Sequence, residues 1–190
     1  GMFEQGFYNQ LGFGSGSYEL LVQFDPAQLM VPNASRPPRR LSEKDAAAMH
    51  ACRLNRRPVH GAVEFAHANV THSELLWTRG GFGLGYYDGP DGALTHFMWL
   101  RSDDLEYGPY RIDCLVYQNS DQLRELLGVL KGLGDQVPTV GLIQPPGVRV
   151  HDLLREPIKE RRVRRRSKFE SGCSALAYWQ MRICDVPACM

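Results

Sequence analysis

Apolar positions along this chain change period several times, and each change delimits an element. Phe7 and Leu11 lie four apart, on one face of a helix, and Gly12 follows where a left-handed helix terminus needs no Cβ. Residues 15–24 then turn extended and apolar. Residues 25–40 are broken by Pro26, Pro32, Pro37 and Pro38 and read as a connector. Ser42-Glu43-Lys44-Asp45 has the form of a capping box, with the shorter aspartate in place of the usual glutamate. The helix it opens runs through Ala46, Ala47, Ala48 and Met49 and is stopped by Pro58. A second helix is expected between residues 63 and 77, although its apolar spacing is poor.

Gly80, Gly81, Gly83 and Gly85 resemble a phosphate-binding loop at first sight. Such a loop must feed a helix N-terminus with free N–H groups. Here the glycines lead into Tyr86-Tyr87 and the turn sequence Asp88-Gly89-Pro90-Asp91-Gly92, so the context is strand, turn, strand, with the return strand at residues 94–100. Asp103 and Asp104 could serve as an acid pair for proton transfer, but such neighbouring acids are far more often a solvated loop, which is the reading favoured here. Residues 110–117 carry apolar side chains on both faces, which predicts a central strand. Ser120 is expected to cap a helix whose Leu123, Leu126, Leu127 and Leu130 form one stripe, and Gly132 and Gly134 end it. A short strand follows at residues 137–143. Strand, amphipathic helix, strand implies a crossover between parallel neighbours, hence an α/β fold with a central mixed sheet flanked by helices.

Beyond this, residues 148–156 suggest a short helix stopped by Pro157. Lys159, Arg161, Arg162, Arg164, Arg165, Arg166 and Lys168 form a basic run, interrupted by Glu160 and Val163. It suits a charged edge strand that resists edge-to-edge pairing, and it would also suit a nucleic-acid contact. Ser171-Gly172 is expected to turn this strand into a last one at residues 177–186.

Composition narrows the class. The chain has 190 residues, 43% hydrophobic and 23% charged, with a formal net charge of +1. This is a globular balance, large enough for a sizeable core and without a global field that selects nucleic acid or membrane. No apolar run is long enough to span a bilayer and no signal peptide follows Met2, whose preceding Gly1 looks like a cloning remnant. The five cysteines are odd in number and Cys52 and Cys114 sit in apparent core segments, which suits a reducing, cytoplasmic protein without disulfides. The six histidines show no His-Glu-x-x-His spacing, and Cys173, Cys184 and Cys189 make no Cys-x-x-Cys pair, so no metal site is expected. No Gly-x-Ser-x-Gly elbow and no internal repeat is present.

A helix ending in Phe7-Tyr8-Asn9-Gln10-Leu11-Gly12-Phe13 and running into a strand resembles the last helix and penultimate strand of the GNAT superfamily of acyl-CoA N-acyltransferases. Together with the chain's close, Trp179-Gln180-Met181-Arg182-Ile183-Cys184-Asp185-Val186-Pro187, it is similar to the multidomain Eis-type acetyltransferases (enhanced intracellular survival proteins). The resemblance implies that residues 2–24 are the end of a catalytic GNAT domain, 25–40 a linker, and 41–190 a central GNAT-like domain, with residues 179–187 like the start of a third. It implies acetyl-CoA as acyl donor, an amine acceptor of unknown identity, and Tyr8 as the general acid that protonates the departing coenzyme A thiolate. The family's acyl-CoA loop, Arg/Gln-x-x-Gly-x-Gly/Ala before a helix, is not met: Arg79 is one residue out of register with Gly83 and Gly85. This chain alone is therefore expected neither to bind acetyl-CoA nor to turn over.

Three functions remain open from the sequence. The first is an Eis-type N-acetyltransferase of which this chain is a portion. The second is a non-catalytic GNAT-like scaffold that forms a homo-oligomer with residues 2–24 docked on a partner. The third, favoured least, is nucleic-acid binding through the basic run.

Overall fold

The computed structural model describes residues 5–16, 18–56, 66–78, 80–102, 104–106, 108–157, 171–176 and 180–187. In chain order the elements are α1 (Gln5–Gln10), β1 (Gly14–Ser15), β2 (Glu19–Phe24), β3 (Arg39–Leu41), α2 (Ala46–Leu54), α3 (Asn69–Trp77) and β4 (Phe82–Tyr86). They continue with β5 (His96–Ser102), β6 (Tyr110–Val116), α4 (Ser120–Gly132), β7 (Val140–Ile143), β8 (Gly172–Leu176) and β9 (Gln180–Met181). Seven strands form one sheet in the order β3-β4-β5-β6-β7-β2-β8, and β1 pairs separately with β9. The sheet is mixed: β3 through β6 are antiparallel neighbours and β6–β7 is parallel. The expected α/β class with a mixed sheet flanked by helices is what the protein has. The basic run at 159–168 lies outside the described residues.

Contacts divide the chain into two compact units, Gly1–Leu21 with Cys173–Met190, and Val22–Gly172. In the first, α1 ends as its glycine demands. Gly12 has φ of +81°, and the N–H groups of Leu11 and Phe13 both donate to the Tyr8 carbonyl at 3.0 Å. The β1–β9 ladder is antiparallel, with Gly14 opposite Met181 and Ser15 opposite Gln180.

In the second unit, β5 carries the core on both faces, because alternate side chains of a strand point opposite ways. Phe97 and Trp99 join Leu41, Met49, Cys52 and Leu75 beneath α2 and α3. His96 faces the other way and bonds Glu125 on α4, whose Leu123, Leu126, Leu127 and Leu130 are buried as the stripe requires. Fully burying each such leucine stabilises the fold by roughly 1.5–3 kcal/mol.

Helix starts follow the sequence with one change. Ser42 makes the full capping box with Asp45, first closing a 3-10 turn and then admitting α2. At α4 the cap is Asn119 rather than Ser120: its Oδ1 accepts from the N–H groups of Asp121 and Gln122 at 3.1 and 3.0 Å. Both residue types cap well, and the one in extended geometry does so (φ −146°, ψ 173°). The expected helix at 148–156 is a 3-10 turn, Val150–Leu153. Gly172 begins a strand instead of making a turn. Of the strand expected at 177–186, residues 177–179 lie outside the described residues, 180–181 form β9, and 182–186 are not strand.

The proline-broken segment after β2 is packed against the rest of its unit. Leu29 and Val31 are buried, and Lys131 Nζ on α4 donates to the Val31 carbonyl at 2.6 Å. Gly128 allows this, since a Cβ there would stand 2.6 Å from the Pro32 carbonyl oxygen. Among the described residues no helix is long and apolar enough to cross a membrane, and Cys52, Cys114, Cys173 and Cys184 are free thiols.

Candidate functional site

Among the described residues, polar groups gather around Arg36 and around the buried His50 and Thr71 in the second unit, and at the end of α1 in the first. In the second unit, Arg36 reaches from the proline-rich segment between two carboxylates. Its Nη1 donates to Asp88 at 2.7 Å, with a second bond from Nη2, and its Nε and Nη2 donate to the two oxygens of Glu125 at 2.7 and 3.0 Å. The guanidinium also lies 4.4 Å from the centre of the Tyr86 ring, which stacks on His96 at 4.8 Å. His96 Nε2 is 3.0 Å from Glu125 Oε2 and its Nδ1 is 2.9 Å from the Thr95 hydroxyl. An ionised carboxylate only accepts, so Nε2 carries the ring's hydrogen when the imidazole is neutral, and the single Thr95 hydroxyl hydrogen is then shared between two acceptors, His96 Nδ1 and the Tyr86 carbonyl at 3.1 Å.

The charges are matched to this geometry. Arg36 holds both carboxyls below their usual range, with the His96 bond adding to the effect on Glu125, and the carboxylates in turn raise the guanidinium. Burial pushes His96 below its ordinary value, against the pull of Glu125. Burial, aided by the Glu125 charge, lifts the Tyr86 phenol to about 12.

Asp88, His96 and Glu125 offer three metal-ligand atoms within 4.8 Å of one another. Sequence spacing gave no hint of this, because the three lie on separate elements. The guanidinium already makes two bonds to each carboxylate, so a metal ion would have to displace Arg36. His96, 1% exposed, is closed to a substrate. The cluster therefore acts as a clasp that ties the proline-rich segment and the β4–β5 turn to α4.

The glycine-rich stretch sits in β4, paired with β3 on one side and β5 on the other. A Cβ at Gly83 would lie 2.7 Å from that of Leu41, and one at Gly85 2.8 Å from that of Phe97. These glycines serve close packing of strands. Their backbone is committed to the sheet and offers no phosphate cradle, so the acyl donor's phosphates do not fit here. Of the acid pair, Asp103 lies outside the described residues, and Asp104 caps its own turn by accepting from Glu106 N at 3.0 Å.

In the first unit, Tyr8 is half-buried on the last turn of α1, edge-on to Phe7 at 5.6 Å and to Phe13 at 5.8 Å. Its carbonyl closes the turn that Gly12 completes. Arg182, just past β9, donates from Nη1 to the Leu11 carbonyl at 2.8 Å.

No protein-family model and no curated protein matches the sequence. Solved structures do. A conserved protein of unknown function from Enterococcus faecalis V583, described as a probable N-acyltransferase, matches with a TM-score of 0.68 at 15% identity, over 94% of this chain and 42% of its own. The GCN5-related N-acetyltransferase from Kribbella flavida matches with a TM-score of 0.64 at 19% identity, over 98% of this chain and 42% of its own. Eis1 from Mycobacterium abscessus matches with a TM-score of 0.57 at 17% identity, over 80% of this chain and 40% of its own. This chain has the GNAT fold. It spans well under half the length of each of these three proteins. At such identities the likeness concerns the GNAT fold and leaves activity to be argued from residues.

Proposed function

We propose that the protein is an Eis-type N-acetyltransferase using acetyl-CoA, in which residues 2–24 complete a catalytic GNAT domain and residues 41–190 form a central GNAT-like domain without a cofactor site. The observation that carries this reading is Tyr8, set on a glycine-ended helix in a chain whose fold matches a GCN5-related N-acetyltransferase, a protein described as a probable N-acyltransferase, and Eis1. In the reaction an amine attacks the thioester carbonyl. The C–N bond forms, the C–S bond breaks, the Tyr8 phenol gives its proton to the leaving thiolate, and a base takes the proton released by the amine. The acyl-CoA loop is not among these residues and is supplied by another stretch of polypeptide. The location proposed is cytoplasmic.

The test has two arms. Acetyl-CoA at millimolar concentration should leave the thermal unfolding of the 190-residue chain unmoved, and a clear upward shift would overturn the missing pocket. The product of the whole reading frame should release coenzyme A in the presence of amines. Tyr8→Phe should lower kcat on the order of 10²-fold or more, and an unchanged kcat would remove Tyr8 from the chemistry.

A second reading has its own support. Phe7, Leu11, Tyr18, Met181, Ile183 and Val186 are all exposed in the first unit. Such a concentration suits a scaffold that docks residues 2–24 on a second copy. Light scattering should then give a dimer, and a monomer at high concentration would exclude it.

A further inference from the structure

A helix of six residues has little stability of its own, because nucleation costs more than one turn returns. The end of α1 is fixed by three bonds that converge on one turn. Leu11 N and Phe13 N donate to the Tyr8 carbonyl, and Gly12 N donates to the Asn9 carbonyl, all at 3.0 Å. The peptide joining Leu11 to Gly12 is the centre of this turn. Its N–H is held by Asn9, and its C=O by Arg182, which stands 171 positions away in sequence. Both ends of one peptide plane are thus fixed, so the plane cannot rotate without losing a charge-assisted bond.

The absence of a side chain at Gly12 matters twice. Its φ of +81° suits glycine, and Arg182 Nε lies 3.7 Å from where a Cβ would be, so the guanidinium passes directly over the turn. The β1–β9 ladder delivers Arg182 to this place: Met181, its neighbour, is opposite Gly14. A cation on the carbonyl end of α1 also opposes that end's partial negative charge.

We infer that Arg182 is a positioning residue for Tyr8, a clamp that sets the turn from which the phenol is presented to the leaving thiolate. This rests on the proposed acetyltransferase reaction. Arg182 touches no reacting atom and acts through the Leu11–Gly12 peptide.

The clamp can be read first without turnover. In the 190-residue chain, Arg182→Met keeps the stem and removes the donor. Amide exchange at Leu11, Gly12 and Phe13 should then rise on the order of 10-fold, with the amides of α4 unaffected. Arg182→Lys keeps one donor, which is what the observed bond uses, and should restore most of the protection. Unchanged exchange in Arg182→Met would overturn the clamp.

Turnover by the whole reading frame then separates positioning from mere stability. Arg182→Met should lower kcat on the order of 10- to 100-fold with KM for acetyl-CoA within about twofold, and Arg182→Lys should recover most of the loss. A change in KM alone would overturn the positioning role. Turnover that survives Tyr8→Phe would remove the acid and leave the clamp as structure, whereas no turnover in the unaltered protein would remove the reaction and the role together.

Discussion

Arg36 and Glu125 stand 89 positions apart and meet in a two-point ion pair, Nε to Oε1 at 2.7 Å and Nη2 to Oε2 at 3.0 Å. The same guanidinium binds Asp88, so one flexible side chain closes three segments on one another. Because Arg36 faces solvent, the pair itself is screened and contributes modestly. A double-mutant cycle with Arg36→Ala and Glu125→Ala should show coupling of about 0.5–1 kcal/mol. Glu125→Ala alone should cost more than this coupling, because it also strips the buried His96 ring of its partner. Urea titrations of the four proteins would measure both.

Acidification should weaken the fold in two steps. His96 titrates in the native state below its ordinary 6.5, chiefly through burial. Between that lowered value and 6.5 the unfolded chain binds a proton that the native chain does not. Stability therefore rises with pH across this window and is lost as pH falls through it. Asp88 and Glu125 are held below 3.8 and 4.5 by Arg36, so their contribution is present above those values and disappears as pH falls further. A plot of Tm against pH should show both limbs. His96→Gln should flatten the upper one and leave the lower, and an upper limb that persists in this variant would refute the assignment.

Gly81 lies against Trp99, whose indole Nε1 donates to the Thr78 hydroxyl at 2.7 Å. A Cβ at Gly81 would sit 2.5 Å from that nitrogen and 2.9 Å from the Thr78 carbonyl oxygen. Gly81→Ala should destabilise by about 1–3 kcal/mol and blue- or red-shift the tryptophan emission. Gly92→Ala is a useful contrast. Its Cβ would meet nothing within 4 Å, but its φ of +71° makes any loss one of backbone strain alone.

The N-cap of α4 gives a direct reading of which residue holds the helix. Asn119→Ala should cost about 1 kcal/mol, and Ser120→Ala a few tenths or less. Equal losses would mean that the serine shares the cap. Leu126→Ala, in the same helix and fully buried, should cost about 2–5 kcal/mol.

The elements were legible in the sequence wherever one local rule acted alone. The leucine stripe of α4, the Ser42 capping box, the Gly12 stop and the central place of β6 all rest on spacing within a few residues. The glycine stretch was read correctly as a strand because no helix follows it. Local reading failed where two residues competed for one role, as Asn119 and Ser120 did, and where a strand depended on its neighbour, as β8 and β9 do.

By itself the sequence determined the period of each segment, and so the class of the fold and the parallel crossover around α4. Only the tertiary structure decided which charges meet. Arg36, Asp88, His96 and Glu125 carry no spacing signal, since the Coulomb and hydrogen-bond energies that join them depend on distance in space. The same holds for Arg182 and Leu11. A carbonyl left open at a helix end can be closed by any donor in the chain, and folding, not order along the chain, selects which one arrives.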